Sequence, residues 1–278
     1  MQKTIGRPAR CTGISITGCT RASVTFHPAP TGTGVVFIRG DLPRRPQIKC
    51  CPEYARSDQR WTSLDKNGVR IEHTEHVLAA VAGLGIDNIF LHLENQHVPV
   101  VSSFSSGDFV RVLLESGLVR QERPKKYIAV GSPQWVLDSF IFNNKRYDSL
   151  LLALPAPKLI LTYLLDYPGK QIGTLLAHIV LGSPGRFSAE LGPARSYIMD
   201  YEFDEVARLI GAGMKDCLVI SSQGFPKLQW EDEPARHKLL DLLGDLATLG
   251  APLRGHFIGI RTGHKANIRL CRKLLRQV

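Results

Sequence analysis

The sequence has no run of apolar residues long enough to cross a bilayer. Its greasiest stretch, 150–165, is interrupted by Pro155, Pro157 and Lys158 and falls short of the roughly 20 residues a spanning helix needs. It has no C-x-x-C pair among Cys11, Cys19, Cys50, Cys51, Cys217 and Cys271, and no charged-then-apolar leader follows Met1. A reducing cytoplasm is therefore the expected compartment. No P-loop, no G-x-G-x-x-G after a strand and no H-E-x-x-H occurs, which disfavours a nucleoside triphosphatase, a Rossmann dehydrogenase and a common metalloprotease. Its 25 Gly and 17 Pro form no low-complexity block, which excludes collagen-like and linker-like chains. Acidic residues are the scarcer charge, 25 against 35 basic, for a net charge of +10. That balance suits an anionic partner: nucleic acid, an anionic membrane surface or a phosphate-bearing small molecule. No recognisable nucleic-acid reader module accompanies the charge.

What is present is a globular chain of 278 residues, 44% hydrophobic, enough for one large domain or two of ordinary size. Strand-like runs at 14–17, 23–26 and 34–38, with a turn at 28–32, predict an antiparallel sheet at the start. From His76 the apolar spacing becomes helical, closes at Gly83 and Gly85, and leads into a strand at 89–93. A second amphipathic segment at 109–118 precedes the charged stretch 120–126, the best linker, so two domains are expected, 1–122 and 123–278. Beyond it the pattern predicts strands at 127–130, 135–142, 150–154 and 158–165 and helices at 204–211 and 234–246. His76 and His237 each open a helix that passes a glycine turn into a strand, 89–93 and 256–260, a weak sign of two similar α+β halves.

Three local signals carry chemistry. His237 and Asp241 stand four apart and project from one helical face, a spacing that grips a metal or makes a surface hydrogen bond. Imidazole and carboxylate suit Zn²⁺, whose third ligand must come from elsewhere. Glu75 and His76 follow Thr74, a candidate helix N-cap. The His suits a ligand and its neighbour a general base, with His73 a competing ligand; a capped, polar first turn is the plainer reading. His264 lies in a polar stretch after an apolar strand, where Asp245, one turn beyond Asp241, is placed to hold its tautomer and favour its protonated form. Ser196 offers a hydroxyl to a developing oxyanion but lacks a G-x-S-x-G context.

Five segments bring these together: 37–42 (FIRGDL), 74–88 (TEHVLAAVAGLGIDN), 193–196 (PARS), 237–246 (HKLLDLLGDL) and 263–267 (GHKAN). In this order they make the chain resemble the UDP-3-O-acyl-N-acetylglucosamine deacetylase family, the zinc amidases of lipid A biosynthesis, nearly end to end. The resemblance implies an α+β fold of two similar domains, each a sheet with a helix pair, with the helices sandwiched between the sheets. It implies His76, His237 and Asp241 as Zn²⁺ ligands, which would clamp the two halves together, and Glu75 as the base that activates water. His264, oriented by Asp245, would stabilise charge or act as general acid, Lys238 would bind substrate, and Ser196, where the family usually has Thr, would polarise the acetamide oxygen. The implied partner is a UDP-linked acylated N-acetylglucosamine, with no nucleic acid. A monomer is expected, with room for a peripheral membrane contact.

The chain departs from the family where G-V-G-L-H-S-G reads GISITGC at 13–19, with Thr17 for His, and where P-I-M-D-G-S reads PVVSSF at 99–104, with Ser102 for Asp. The stretch 197–214 is a few residues short, in the region that shapes the family's acyl passage. Besides the deacetylase, two other classes fit parts of the sequence: a non-catalytic or altered-substrate zinc-binding relative, and a basic nucleic-acid-binding protein supported by charge alone. Glu75, His264 and Asp245 favour the enzyme, because a structural metal site needs neither base nor acid.

Overall fold

The computed structural model describes residues 1–18, 20–57, 60–101, 104–142, 144–166, 172–210, 217–221 and 226–277. After β1 (Lys3–Ile5) come β2 (Ala9–Ile14), β3 (Arg21–Pro28), β4 (Val35–Arg39) and β5 (Gln47–Lys49), then a small sheet of β6 (Ala55–Arg56), β7 (Ser63–Lys66) and β8 (Val69–Ile71). Next follow α1 (Glu75–Gly83), β9 (Ile89–Leu93), α2 (Gly107–Glu115) and β10 (Leu118–Arg120), which pairs back with β1. The rest of the chain forms β11 (Ile128–Ala129), β12 (Gln134–Phe142), β13 (Lys145–Leu154), β14 (Leu159–Asp166), β15 (Thr174–Leu181), α3 (Pro184–Glu190), β16 (Tyr197–Met199) and α4 (Phe203–Ile210). It continues through β17 (Leu218–Ile220), α5 (Glu233–Ala247), β18 (Leu253–Ile260) and α6 (His264–Leu275). Among the described residues no helix is long and apolar enough to cross a membrane.

The suggested repetition is present in the topology. One sheet runs β2-β3-β9-β4-β5 and the other β12-β13-β18-β14-β15, with β11 added beside β18. In each, the central strand enters late, directly after a helix, and lies antiparallel to one neighbour and parallel to the other. The fold is α+β, with the helices between the two sheets: α2 packs on β2, α5 on β14 and β15, α6 on β12 and β13, and α1 lies along α5. One continuous core reaches from Phe26 and Leu91 of the first sheet through Leu78 and Leu243 to Leu151 and Phe257 of the second. Each such side chain, fully buried, stabilises the fold by about 1.5–3 kcal/mol.

Helix α1 is buried from Glu75 to Val81. Its small residues Ala79, Ala80 and Gly83 let neighbours approach: the Phe187 ring sits where a Gly83 Cβ would be. On α5 the same economy occurs at Gly244, whose missing Cβ would fall 2.0 Å from the carbonyl oxygen of Glu75. Two helices thus touch backbone to backbone, and only glycine permits it.

Several expectations need correction. Residues 15–18 form a turn rather than a strand, with Gly18 at φ 72°; the strand is the preceding β2. Helix α2 ends at Glu115, because Gly117 at φ 77° reverses the chain into β10. Strand β15 and helices α3 and α6 were not anticipated. The β15 alternation, with Ala177 and Ile179 inward and His178 outward, is short and mixed in polarity. His237 lies one turn inside α5 rather than at its start, since Pro234 in the first turn sets the N-terminus earlier. Thr74 makes no side-chain cap, because its hydroxyl donates to the Thr62 carbonyl at 3.1 Å. Ser102 and part of the shortened stretch, 211–214, lie outside the described residues.

The α1–α5 contact yields a stability prediction. Gly244→Ala must push the helices apart and should cost about 1–3 kcal/mol, the usual range for overpacking, read as a lowered melting temperature. Gly131→Ala, whose Cβ meets nothing within 4 Å, should leave the melting temperature unchanged. Equal behaviour of the two variants would contradict the close approach.

Candidate active site

The cleft beside the α1–α5 contact draws its walls from both halves. Ile16, Arg60, Trp61, His73, Glu75, His76 and Phe104 come from the first, and Ser196, Tyr197, Cys217, His237, Lys238, Asp241 and His264 from the second. All eight residues singled out in the sequence lie in or against it, although they come from positions 75 to 264. Seven of them line the cleft or touch one another directly, and Asp245 supports them from beneath.

Two helices bring the candidate ligands together. His76, in the first turn of α1, and His237 and Asp241, on one face of α5, place ligand atoms within 4.8 Å of one another. His76 Nε2 lies 3.3 Å and His237 Nε2 3.4 Å from Asp241 Oδ1, and all three side chains are buried. His237 Nδ1 is 3.0 Å from the Ala194 carbonyl, which can only accept, so Nδ1 carries the proton and Nε2 presents a bare lone pair. Burial pulls the His237 pKa down to about 4, so the ring is neutral. A buried lone pair facing a carboxylate oxygen is an unmet pairing of two acceptors, which a cation between them satisfies. The set fits zinc by donor chemistry. His76 Nδ1 has no partner among the described residues. Asp241, despite burial that would raise it, is held well below the usual carboxylate range chiefly by Lys238, whose ammonium donates to its second oxygen at 3.0 Å, with the His76 hydrogen bond adding to it.

His73, the competing ligand, is also present: its Nε2 lies 3.7 Å from Glu75 Oε1, and His73, Glu75 and His76 form a second cluster of metal-ligating type. Its backbone sits at φ 62°, where a non-glycine residue is strained. This kink turns the chain from β8 into α1 and aims the His73 ring at His76, 4.8 Å between centroids.

Beneath the candidate ligands lies a relay of buried hydrogen bonds. Thr62, invisible to motif reading, donates its backbone N–H to Glu75 Oε2 at 2.9 Å and its hydroxyl to Asp245 Oδ1 at 2.5 Å. Asp245 Oδ2 in turn accepts from His264 Nδ1 and from Asn267 Nδ2, each at 2.8 Å. Burial, with the charges of Asp245 and Asp241, raises the Glu75 pKa to about 7 against the lowering effect of His264 and His76. For His264, burial disfavours the charged ring, but the charge and hydrogen bond of Asp245, with Asp241 and Glu75, lift its pKa to about 9. His264 is the first residue of α6, where the helix dipole opposes a cation, and Asp245 offsets this. Ser196 lines the cleft at the start of β16, its carbonyl bonded to the Leu218 N–H. Arg60, which lines the cleft, pairs with Glu202 of the second half at 3.1 Å. Trp61 donates to Glu72 at 2.7 Å and packs with Ile16, Val100 and Phe104 as an apolar wall. Thr17, in the family's His position, turns its hydroxyl to Ser15 at 3.1 Å.

The His264–Asp245 pair gives a signed pH dependence. A His raised from 6.5 to about 9 contributes stability that is full below pH 6.5 and lost as pH rises through 9. Urea unfolding of wild type and His264→Gln in the same metal state should therefore show the largest gap below pH 6.5 and a smaller, constant one above pH 9. A gap independent of pH would mean that His264 is not charged in the folded protein.

The profile of the family described as UDP-3-O-acyl N-acetylglycosamine deacetylase matches residues 2–276. Among curated relatives, the UDP-3-O-acyl-N-acetylglucosamine deacetylase of Thermosynechococcus vestitus is 32% identical over 99% of this chain and 94% of its own length. The proteins of the same name from Chromohalobacter salexigens and Bdellovibrio bacteriovorus are each 31% identical over 99% of this chain, covering 90% and 89% of their own lengths. With the match running through both sheets and both helix pairs, the chain belongs to the UDP-3-O-acyl N-acetylglycosamine deacetylase family.

Proposed function

We propose that this chain is a zinc-dependent amidohydrolase that removes acetate from the acetamide of UDP-3-O-acyl-N-acetylglucosamine, a step of lipid A biosynthesis in the cytoplasm. The observation that carries the reading is the convergence of two buried imidazole nitrogens and a carboxylate oxygen, with two further titratable groups of opposite role, Glu75 and His264, facing the same space. His76, His237 and Asp241 would hold the ion. The chemistry a zinc ion supplies at such a site is Lewis-acid polarisation of a carbonyl and activation of water near neutral pH.

The chain's own residues do the rest. Glu75, with its pKa near neutrality and Oε2 fixed by Thr62, takes a proton from the attacking water. His264, kept protonated by Asp245, stabilises the developing negative charge and returns a proton to the leaving amine. Ser196 offers its hydroxyl to the acetamide oxygen, and Lys238, beside Asp241, meets the substrate while keeping that carboxylate ionised. The excess of basic residues favours the diphosphate. The reading includes two domains, 1–122 and 123–278, supported by the closure of the first half through β1 and β10, and a monomeric chain.

Three outcomes test it. His76→Ala, His237→Ala and Asp241→Ala should each lower zinc content and deacetylation together, since two remaining ligands hold the ion poorly. Stoichiometric zinc in all three by elemental analysis would discard this ligand set and turn attention to His73. Glu75→Ala should keep zinc and lose about 10²–10⁴ in kcat, the range of a general base. Zinc bound by a wild-type protein that does not hydrolyse the UDP-linked substrate would instead identify a non-catalytic or altered-substrate relative.

A further inference from the structure

The two sheets share one strand order, yet their solvent-facing sides differ in chemistry. Across the first sheet, the outward row Arg10, Thr25, His92, Ile38 and Gln47 is polar at four of five places. Across the second, the outward row Leu137, Leu150, Ile260, Leu164 and Leu176 is apolar at every strand. The next row runs Trp135, Leu152, Ile258, Thr162 and His178, apolar over its first three strands. These are not core residues: their inward neighbours Leu151, Phe257 and Leu161 fill the core, while Leu137 is 63%, Leu176 59% and Trp135 51% exposed. Since the same topology is built with a polar outer face on the other half, the fold does not require this one.

We infer that the outer face of the β12-β13-β18-β14-β15 sheet is a docking surface for an anionic lipid bilayer. Charge and aromatic placement favour a membrane over a second protein. Lys145 and Arg146 stand at one end of the face and Lys158 and Arg254 at the other, all exposed. Facing them are two carboxylates, Asp166, bound by Arg261, and Asp148, 3.4 Å from Arg146, which leaves the rim positive. Tyr127 lies under Arg254 at 4.1 Å, and Lys273 stands 5.9 Å from the Trp135 ring. Amphipathic rings beside cations at the edge of an apolar field are the composition of a bilayer interface. The polar groups at the middle of the face bond one another, Thr162 Oγ1 lying 2.9 Å from His178 Nδ1 and 2.8 Å from His256 Nε2, which lowers the cost of covering them. A further outward row, Leu154, His256, Ile160 and Val180, extends the face toward the Lys158 and Arg254 end. Two copies meeting here would bring their cationic rims together.

This surface is independent of what the cleft hydrolyses, and its test does not use catalysis. The full chain is sedimented with vesicles of phosphatidylcholine containing one quarter phosphatidylglycerol, and with pure phosphatidylcholine vesicles. Binding to the anionic vesicles should be at least tenfold stronger, should fall in 0.5 M NaCl, and should shift Trp135 fluorescence to the blue, a shift lost in Trp135→Phe. The double variant Leu137→Asp/Leu176→Asp, changed only at exposed positions, should keep its circular dichroism and melting temperature and lose binding at least tenfold. No preference for anionic vesicles, or undiminished binding by the double variant, would overturn the proposal. So would a dimer in sedimentation velocity that the same substitutions dissociate, which would make a second copy the occupant.

Discussion

The arrangement of the cleft depends on one contact, the seating of Gly244 on the backbone of Glu75. Side-chain reach is short: a carboxylate extends only a few ångströms from its helix, so residues on two helices can share an ion-sized space only where the axes come unusually close. The absent Cβ on α5 and the run of alanines on α1 provide that closeness. Because contact is made at Glu75 itself, the adjoining His76 faces Asp241 and His237, one and two turns from Gly244 on α5. The sheets on either side act as clamps. One continuous core joins them through both helices.

Burying so many ionisable groups in one place is costly unless each is answered. The structure divides them into two layers. In the upper one, Asp241 stands among two imidazoles and an ammonium. In the lower one, Asp245 receives Thr62, Asn267 and His264, so its charge is spread over three donors while it sustains a cation beside it. Thr62 joins the layers, holding Glu75 with its amide and Asp245 with its hydroxyl. Glu75 and His264 are driven in directions that suit opposite proton-transfer roles by these surroundings rather than by their own chemistry.

What could be read from the sequence follows from the range of the forces involved. The i, i+4 spacing of His237, Asp241 and Asp245 is a local property of a helix, and it survived intact. The helix at 76 and the strand at 89–93 were legible because a strong apolar period ends at a glycine pair. That His76 meets His237 across 161 positions has no local signature, and only the family resemblance supplied it. Thr62 was missed because one threonine in an unremarkable stretch gains its role from tertiary placement alone. Helix α6 was missed because its polar first turn, His264 to Asn267, reads as a loop until Asp245 is known to lie beneath it. The repeat was suggested by one helix-turn-strand echo, whereas the shared strand order that establishes it is a fact of pairing.

The late entry of the central strands has a consequence for how the chain is made. Strand β18 is the last strand in sequence, yet it sits between β13 and β14, which are synthesised about a hundred residues earlier. Until residues 253–260 emerge, those two strands have no common partner, and each exposes an open edge rich in leucine. The second sheet therefore cannot form progressively. It must wait, half paired, through the synthesis of α3, β16, α4, β17 and α5, and close by inserting its middle strand last. A nascent or truncated chain stopped before β18 would lose the sheet's centre rather than its margin, and would display two further edges, on β13 and β14, that the finished protein pairs.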